Sequence, residues 1–181
     1  MRFSQINKFY PFIIILLFIC VITGYAQTPY EQRINKGMDS LNKAMCDEAI
    51  AEFTGAIEID PKSAFAYYQR GFTYHKKGRL NEAISDYDKA IEIDPNDAEF
   101  YYNRGIAYYY KDYPDQAILD WSRAIEISPD TAAIYQKRAF AYFKKEEYDK
   151  SWQDVHRIEE LEYKVDPKFL EELKRLSQRD K

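Results

Sequence analysis

The sequence predicts an all-α protein, an α-solenoid of about four helical hairpins closed by a C-terminal capping helix. The first observation is a repeat: prolines end equivalent segments at Pro61, Pro95 and Pro129, so the period is 34 residues. The second is the spacing of small and aromatic residues within a unit, which recur at intervals of four and three, as on one face of a helix. Self-similarity at this period is typical of stacked helical repeats, in which each unit buries its apolar face against the next.

The composition supports one globular domain and excludes several classes of protein. The chain has 181 residues, of which 46% are hydrophobic and 31% are charged, and this is enough apolar material for a core. Lys and Arg number 26 against 30 Asp and Glu, a net charge of -4, so the basic surplus of a nucleic-acid-binding protein is missing. Two cysteines cannot supply a disulfide framework or a four-ligand zinc site.

Residues 1–26 have the pattern of a secretory signal peptide. A positively charged start precedes an uncharged run over residues 9–26, and Gly24 and Ala26 place small residues where a signal peptidase cuts. We therefore expect cleavage before Gln27 and export to the bacterial periplasm or the exterior of the cell. The alternative is an uncleaved membrane anchor over residues 9–26, although 18 residues are fewer than the roughly 20 that a spanning helix needs.

The repeat predicts four helical hairpins within a domain that covers residues 27–163. Aligning residues 64–97 with residues 98–131 gives 15 identities in 34 positions. Within the second unit, Gly78 predicts the end of the first helix and Asn81 the N-cap of the second, because glycine commonly ends helices and asparagine commonly caps them. The predicted units cover residues 30–63, 64–97, 98–131 and 132–163.

The residues at fixed places in each unit resemble those of the tetratricopeptide repeat family. That family has an aromatic residue, Gly and Tyr on the first helix, then Ala, an aromatic residue and Ala on the second helix, and a closing Pro. The second and third units match at all seven places. The matching residues are Tyr67, Gly71, Tyr74, Ala83, Tyr87, Ala90 and Pro95 in the second unit, and Tyr101, Gly105, Tyr108, Ala117, Trp121, Ala124 and Pro129 in the third.

The first and fourth units match at fewer places, as terminal units of a solenoid commonly do. The resemblance covers about residues 30–163. It implies a right-handed superhelix whose first helices line a concave groove. It also implies a non-catalytic protein that binds a protein or peptide partner in that groove.

A final helix is predicted over residues 166–178. Asp166 and Pro167 supply an N-cap and a first-turn proline. The apolar residues that follow recur at helical spacing, so we expect this helix to cover the fourth hairpin.

Two charged positions repeat with the period of the chain, which predicts ion pairs. Each of the last three units has an arginine on its first helix and an aspartate 16 residues later on its second helix. We expect them to pair within a hairpin or with its neighbour rather than to hold an acidic ligand. In the first unit Lys36 and Glu52 keep the two signs and are expected to pair in the same way. The predicted pairs are Arg70 with Asp86, Arg104 with Asp120 and Arg138 with Asp154.

In the register that the resemblance gives, the groove side of the first helices carries aromatic, amide, lysine and apolar side chains. Four apolar residues form a ridge at a site that is usually polar in the family. Either this ridge is exposed and binds an apolar or amphipathic segment, or it packs against neighbouring helices. In the first case Gln69, Asn103 and Lys137 would hydrogen-bond to the segment. The groove residues are Tyr68, Gln69, Lys76, Tyr102, Asn103, Tyr109, Tyr110, Gln136 and Lys137, and the ridge residues are Met38, Phe72, Ile106 and Phe140.

Two functional hypotheses follow. The first is a scaffold that binds a protein or peptide in the groove, and the second is a structural subunit of a cell-envelope assembly that uses its outer helix faces. Relatives that clamp the C-terminal carboxylate of cytosolic chaperones use lysines and asparagines here, of which only Asn103 and Lys137 are present, so that ligand is not expected. No catalytic set or phosphate loop occurs, and no cofactor or metal is expected. Membrane contact is expected only through residues 1–26, and the oligomeric state is left open.

Overall fold

The computed structural model describes residues 27–178, which form nine α-helices and no β-strand. The predicted signal peptide at residues 1–26 lies outside the described residues. None of the described helices is long and apolar enough to cross a membrane. The helices are α1 (Pro29–Asn42), α2 (Cys46–Ile59), α3 (Ala64–Lys76), α4 (Leu80–Ile93), α5 (Ala98–Tyr110), α6 (Pro114–Ile127), α7 (Ala132–Lys144), α8 (Tyr148–Glu160) and α9 (Pro167–Ser177).

Consecutive helices pack as hairpins, and the hairpins stack in chain order. The most extensive packing joins α1 to α2, α3 to α4, α5 to α6 and α7 to α8. The second helix of each hairpin also packs on the first helix of the next, while α3 touches α5 and α5 touches α7. The predicted α-solenoid is therefore confirmed, and the first helices of successive hairpins lie side by side.

The turn inside each hairpin has the same backbone conformation in all four units. One residue per turn has a positive φ, and these residues are spaced by the 34-residue period. Glycine adopts this left-handed conformation without steric cost, and in the second unit Gly78 follows the end of α3 as predicted. The four residues are Ala44 (59°), Gly78 (73°), Asp112 (64°) and Glu146 (61°).

Asn81 does not cap α4, so that prediction is wrong. The turn is so short that α4 already begins at Leu80, with Arg79 at the N-cap position and no side-chain cap. Asn81 instead accepts a hydrogen bond from Lys111 of the next hairpin. Equivalent lysines make the same link between the other hairpins. These contacts are Lys77 with Asp47 and Lys145 with Asp115.

Small residues bring the two helices of a hairpin together, and one large side chain fills the space beside them. Gly71 faces Tyr87, and Gly105 faces Trp121, whose Nε1 lies only 2.7 Å from the place that a Cβ atom would take on Gly105. Trp121 Nε1 donates a hydrogen bond to the Tyr102 carbonyl oxygen at 3.1 Å. Tyr87 is buried, and within residues 27–178 its hydroxyl group has no hydrogen-bond partner. The aromatic residue that faces the glycine thus differs between the second and third hairpins, and so do the hydrogen bonds that its polar atom makes.

Each repeated arginine joins three helices. The Arg70 guanidinium donates to both carboxylate oxygens of Asp86, at 2.8 and 2.7 Å, and to Thr54 Oγ1 on α2 at 3.1 Å. The hydrogen bonds with Asp86 raise the pKa of Arg70, so its charge is permanent. The arginine therefore closes its own hairpin and links it to the preceding one. The equivalent sets are Arg104 with Asp120 and Asp88, and Arg138 with Asp154 and Ser122.

The first unit departs from this pattern, and the expected pair of Lys36 with Glu52 is wrong. Lys36 is exposed, and Glu52 accepts a hydrogen bond from Arg33 Nη1 at 2.9 Å. No hairpin precedes α1 in residues 27–178, so nothing there buries a cation at the Lys36 position. Arg33 stands where later units have an aromatic residue, and it lies against Gly55 on α2.

Helix α9 closes the C-terminal end of the stack. Asp166 Oδ1 accepts a hydrogen bond from the Lys168 backbone nitrogen at 3.2 Å, and α9 begins at the proline that follows Asp166. Phe169 and Leu173 are buried in one cluster with Trp152 of α8. This cluster gives the fourth hairpin the apolar cover that a fifth hairpin would otherwise provide.

Candidate protein-binding groove

The candidate site is the face formed by the first helices of the hairpins, α1, α3, α5 and α7, which we call the groove. Its central part is continuous, because α3 contacts α5 and α5 contacts α7. Side chains three and four residues apart on these helices share this face, so each helix contributes a short column of residues to it.

The apolar ridge is half-buried along its whole length. Phe72 packs against the buried residues Leu41 and Phe53 of the first hairpin, with Met38 in the same cluster. The Phe140 ring lies against Phe169 of α9, with 4.1 Å between the ring centroids. The ridge residues therefore pack on neighbouring helices, as one of the two interpretations expects, and none of the four is fully buried. Each residue packs on a neighbouring element and keeps part of its surface in the groove.

Tyr68, Gln69 and Asn103 are buried, unlike the rest of the predicted set. Asn103 Nδ2 donates to the Tyr68 hydroxyl oxygen at 3.2 Å and to the Glu99 carbonyl oxygen at 2.9 Å. Both amide hydrogens of Asn103 are thereby used inside the protein. The expectation that Asn103 donates to a bound segment needs correction: this side chain stabilises the contact between α3 and α5.

The other predicted residues remain accessible. Tyr102, Tyr109 and Gln136 are half-buried, Lys76 and Lys137 are exposed, and Tyr110 is 69% exposed. No hydrogen bond or ion pair joins Lys137 to any residue between 27 and 178. The groove thus offers a tyrosine and a free cation side by side.

His75, half-buried on α3, extends the aromatic surface of the groove. Its ring centroid lies 5.7 Å from that of Tyr110. Burial lowers the pKa of His75, so its imidazole is neutral at physiological pH. His75 therefore adds an aromatic ring to the groove rather than a charge.

A pocket of about 200 Å³ opens in the groove between α5 and α7. Its walls are mostly aromatic and aliphatic, and two of them, Tyr109 and Trp121, have ring centroids 5.8 Å apart. Predominantly apolar walls with one charged group are typical of ligand pockets. Five of its six lining residues belong to the groove set predicted from the sequence, and the sixth, Trp121, reaches the pocket from α6. The lining residues are Ile106, Tyr109, Tyr110, Trp121, Lys137 and Phe140.

One side of the groove is acidic. Near the starts of α5 and α7, Asp94, Asp97 and Glu99 line a depression of about 530 Å³. Lys76 and Lys144 lie on the opposite side, where α3 and α7 finish, and Lys144 is paired with Asp112 at 2.6 Å. A segment bound across α5 and α7 therefore has acidic residues of the protein on one side only.

Residues 27–178 contain no cluster of three or more His, Cys, Asp or Glu side chains that could hold a metal ion. Cys46, the first residue of α2, is a half-buried free thiol.

Comparison with known proteins agrees with this geometry. A sequence profile described as TPR repeat, for tetratricopeptide repeat, matches residues 46–78, 73–112 and 115–146. A crystal structure of MamA is 26% identical, with a TM-score of 0.71 over 74% of this chain and 78% of that chain. MamA from Desulfovibrio magneticus RS-1 is 21% identical, with a TM-score of 0.69 over 74% of this chain and 75% of that chain.

YrrB, described as a TPR protein with an unusual peptide-binding site, shares the fold. It is 21% identical, with a TM-score of 0.65 over 71% of this chain and 66% of that chain. In sequence, no curated protein matches the chain.

Proposed function

The chain belongs to the tetratricopeptide repeat family, and on that premise we propose that it is a non-catalytic scaffold that binds a peptide or protein segment in its groove. Repeats of this family are generally interaction modules. The observation that carries the proposal is the exposed surface formed by Tyr110 and Lys137 beside the apolar pocket. A tyrosine next to a half-buried apolar floor is the composition that protein interfaces favour, because its ring buries a large area at a small entropic cost.

The test combines two substitutions of exposed groove residues, Tyr110→Ala and Lys137→Glu. We expect the double variant to capture at least tenfold less of the specific partner, about 1.4 kcal/mol, because it removes an aromatic contact and reverses a charge. The measurement is affinity capture with the purified protein from extracts of the cells that make it, quantified by mass spectrometry. Phe72 and Phe140 are unsuitable for this purpose, because both pack against buried residues of the core and their replacement would also change stability.

The chain offers a matched control outside the helices that line the groove. Tyr163→Ala with Lys168→Glu makes the same chemical changes at exposed positions, and Tyr163 is 62% exposed against 69% for Tyr110. Both double variants should melt within a few degrees of the unchanged protein. Equal capture by the two variants would refute the groove as the binding surface.

We further propose that residues 1–26 are a signal peptide and that the mature protein begins at Gln27. The charged start, the uncharged run and the small residues before Gln27 support this. N-terminal sequencing of the protein from its own cells should give Gln27 as the first residue. A chain that starts at Met1 and sediments with membranes would support the anchor instead.

A further inference from the structure

We infer that the pocket between α5 and α7 is an anchor subsite that takes one bulky apolar side chain of the bound segment. Lys137 at this pocket pairs with the side-chain carboxylate of an Asp or Glu beside that residue. The inference rests on the proposed function, since it specifies the chemistry of a segment held in the groove.

Contacts within the protein hold the pocket walls in place. Trp121 is fixed by the hydrogen bond from its Nε1 to the Tyr102 carbonyl oxygen at 3.1 Å. Phe140 is supported by Phe169, a buried residue of the capping helix α9. A pocket that is formed before binding needs little ordering when a ligand enters, and this favours affinity.

The size and polarity of the pocket select a large apolar side chain. Its volume is about 200 Å³. An apolar protein cavity of about 150 Å³ accepts benzene, so the side chain of Leu, Ile, Met or Phe fits here. The Trp121 N–H is already donated to Tyr102, so the indole presents its ring to an occupant. Because most of the pocket wall is aromatic or aliphatic, a large apolar side chain buries more favourable contact area here than an uncharged polar one.

Lys137 determines that the charged residue of the bound segment beside the pocket is acidic. Lys144, further along α7, is paired with Asp112 at 2.6 Å, and its Nζ lies 5.3 Å from the Tyr109 ring centroid. Lys137 has no such partner in the described part of the chain. Glu99, at the start of α5, would repel a carboxylate placed at that end. The acidic residue of the segment therefore belongs on the Lys137 side.

An acidic side chain fits this site better than a chain terminus. A terminal carboxylate is fixed to the backbone and is commonly held by several donors at once. Asn103 cannot act as a second donor, because Tyr68 and the Glu99 carbonyl oxygen already accept both of its amide hydrogens. Lysine is a flexible point charge, which can follow a carboxylate carried on a side chain.

The test selects binders from a phage-displayed library of random peptides placed inside a carrier protein, so that no peptide has a free C-terminus. On the unchanged protein we expect enrichment of Leu, Ile, Met or Phe within two positions of Asp or Glu. On the Lys137→Glu variant the acidic preference should change to Lys or Arg. On the Lys168→Glu control it should be unchanged.

Affinities of one selected peptide, measured by fluorescence anisotropy, complete the test. Replacing its acidic residue by the amide should weaken binding about tenfold to the unchanged protein and strengthen binding to Lys137→Glu, because it removes the repulsion between two carboxylates. Ile106→Phe, which fills part of the pocket, should weaken binding at least tenfold. Two forms of the peptide, one with a free C-terminal carboxylate and one with an amidated C-terminus, should bind equally.

The outcomes separate this inference from the proposed function. Peptides that protect backbone amides of α3, α5 and α7 from hydrogen exchange, yet lack the apolar–acidic pair, would overturn the inference and leave groove binding intact. A selected peptide that binds at least tenfold more tightly with a free C-terminal carboxylate than with an amidated C-terminus would overturn the assignment of a side-chain carboxylate. Selected peptides that all bind outside the groove would overturn both.

Discussion

Replacing Asp86 by alanine is expected to lower the free energy of unfolding by about 3 kcal/mol, and the melting temperature by roughly 10 °C. Arg70 and Asp86 form a two-bond ion pair whose side chains are only 18% and 7% exposed. In the variant the arginine keeps its charge and loses its counter-ion. Its remaining contact, Thr54 Oγ1 at 3.1 Å, is neutral. The loss would be measured by denaturant-induced unfolding, with circular dichroism as the probe.

The third hairpin supplies a graded comparison. Asp120→Ala removes the equivalent partner of Arg104, but Arg104 Nη1 still donates to Asp88 at 2.6 Å. Because a second carboxylate stays in contact with the guanidinium, we expect a loss smaller by about 1–2 kcal/mol than that of Asp86→Ala. Both substitutions remove the same atoms from equivalent buried positions, so the difference isolates the second carboxylate.

A solvent-exposed ion pair provides the control. Lys89 and Glu92 are paired at 2.6 Å on the surface of α4. Glu92→Ala should change the free energy of unfolding by less than about 0.5 kcal/mol, because exposed pairs are weak. Equal losses for Asp86→Ala and Glu92→Ala would contradict the role given to the buried pairs. A double variant, Arg70→Leu with Asp86→Leu, should regain much of the loss, because it leaves no unpaired charge.

The repeated arginines also stabilise the contacts between neighbouring hairpins. In a solenoid, each hairpin gains stability from its own interior and from its contact with the next hairpin. Arg70, Arg104 and Arg138 each contribute to both, since each contacts its own second helix and the second helix of the preceding hairpin. Losing one such arginine should therefore weaken a hairpin and also uncouple it from its neighbour.

The fold could be predicted from the sequence because every unit repeats the same pattern. Gly71 and Tyr87 matched the places of a glycine and an aromatic residue in the family pattern, and in the structure they face each other between α3 and α4, as Gly105 and Trp121 do in the third unit. The spacing of Arg70 and Asp86 pointed to a contact within a hairpin or with its neighbour, and in the structure Arg70 contacts both. The predicted pair of Lys36 with Glu52 was wrong, because the first unit lacks the preceding hairpin that buries the arginine in each internal unit.

The properties of the groove were harder to predict, for a physical reason. Periodicity gives the side of a helix on which a residue lies, whereas burial depends on the size and bonding of residues on adjacent helices. Asn103 and Lys137 occupy the same place in their units. Asn103 is buried because Tyr68 and Glu99 surround it, and Lys137 stays exposed. The pocket beside Lys137 likewise depends on Trp121, which reaches it from a second helix.

Replacing Trp121 by alanine is expected to cost about 4 kcal/mol, the largest effect of any single substitution considered for this chain. Trp121 is 1% exposed and fills the crossing of α5 and α6 opposite Gly105. The substitution removes a large apolar surface and leaves the glycine without a contact. It also removes the hydrogen bond to the Tyr102 carbonyl oxygen. Denaturant unfolding would measure the loss.

Two variants on the same helix set the scale of that loss. Leu119→Ala, at a position that is 70% exposed, should change the free energy of unfolding by less than about 0.5 kcal/mol. Trp121→Phe keeps an aromatic ring at the crossing and loses the N–H donor, so it should fall between the two. If Trp121→Ala were no more harmful than Leu119→Ala, the third hairpin would not depend on this side chain. The pocket in the groove would then lack a fixed wall, because Trp121 is the fully buried residue among those that line it.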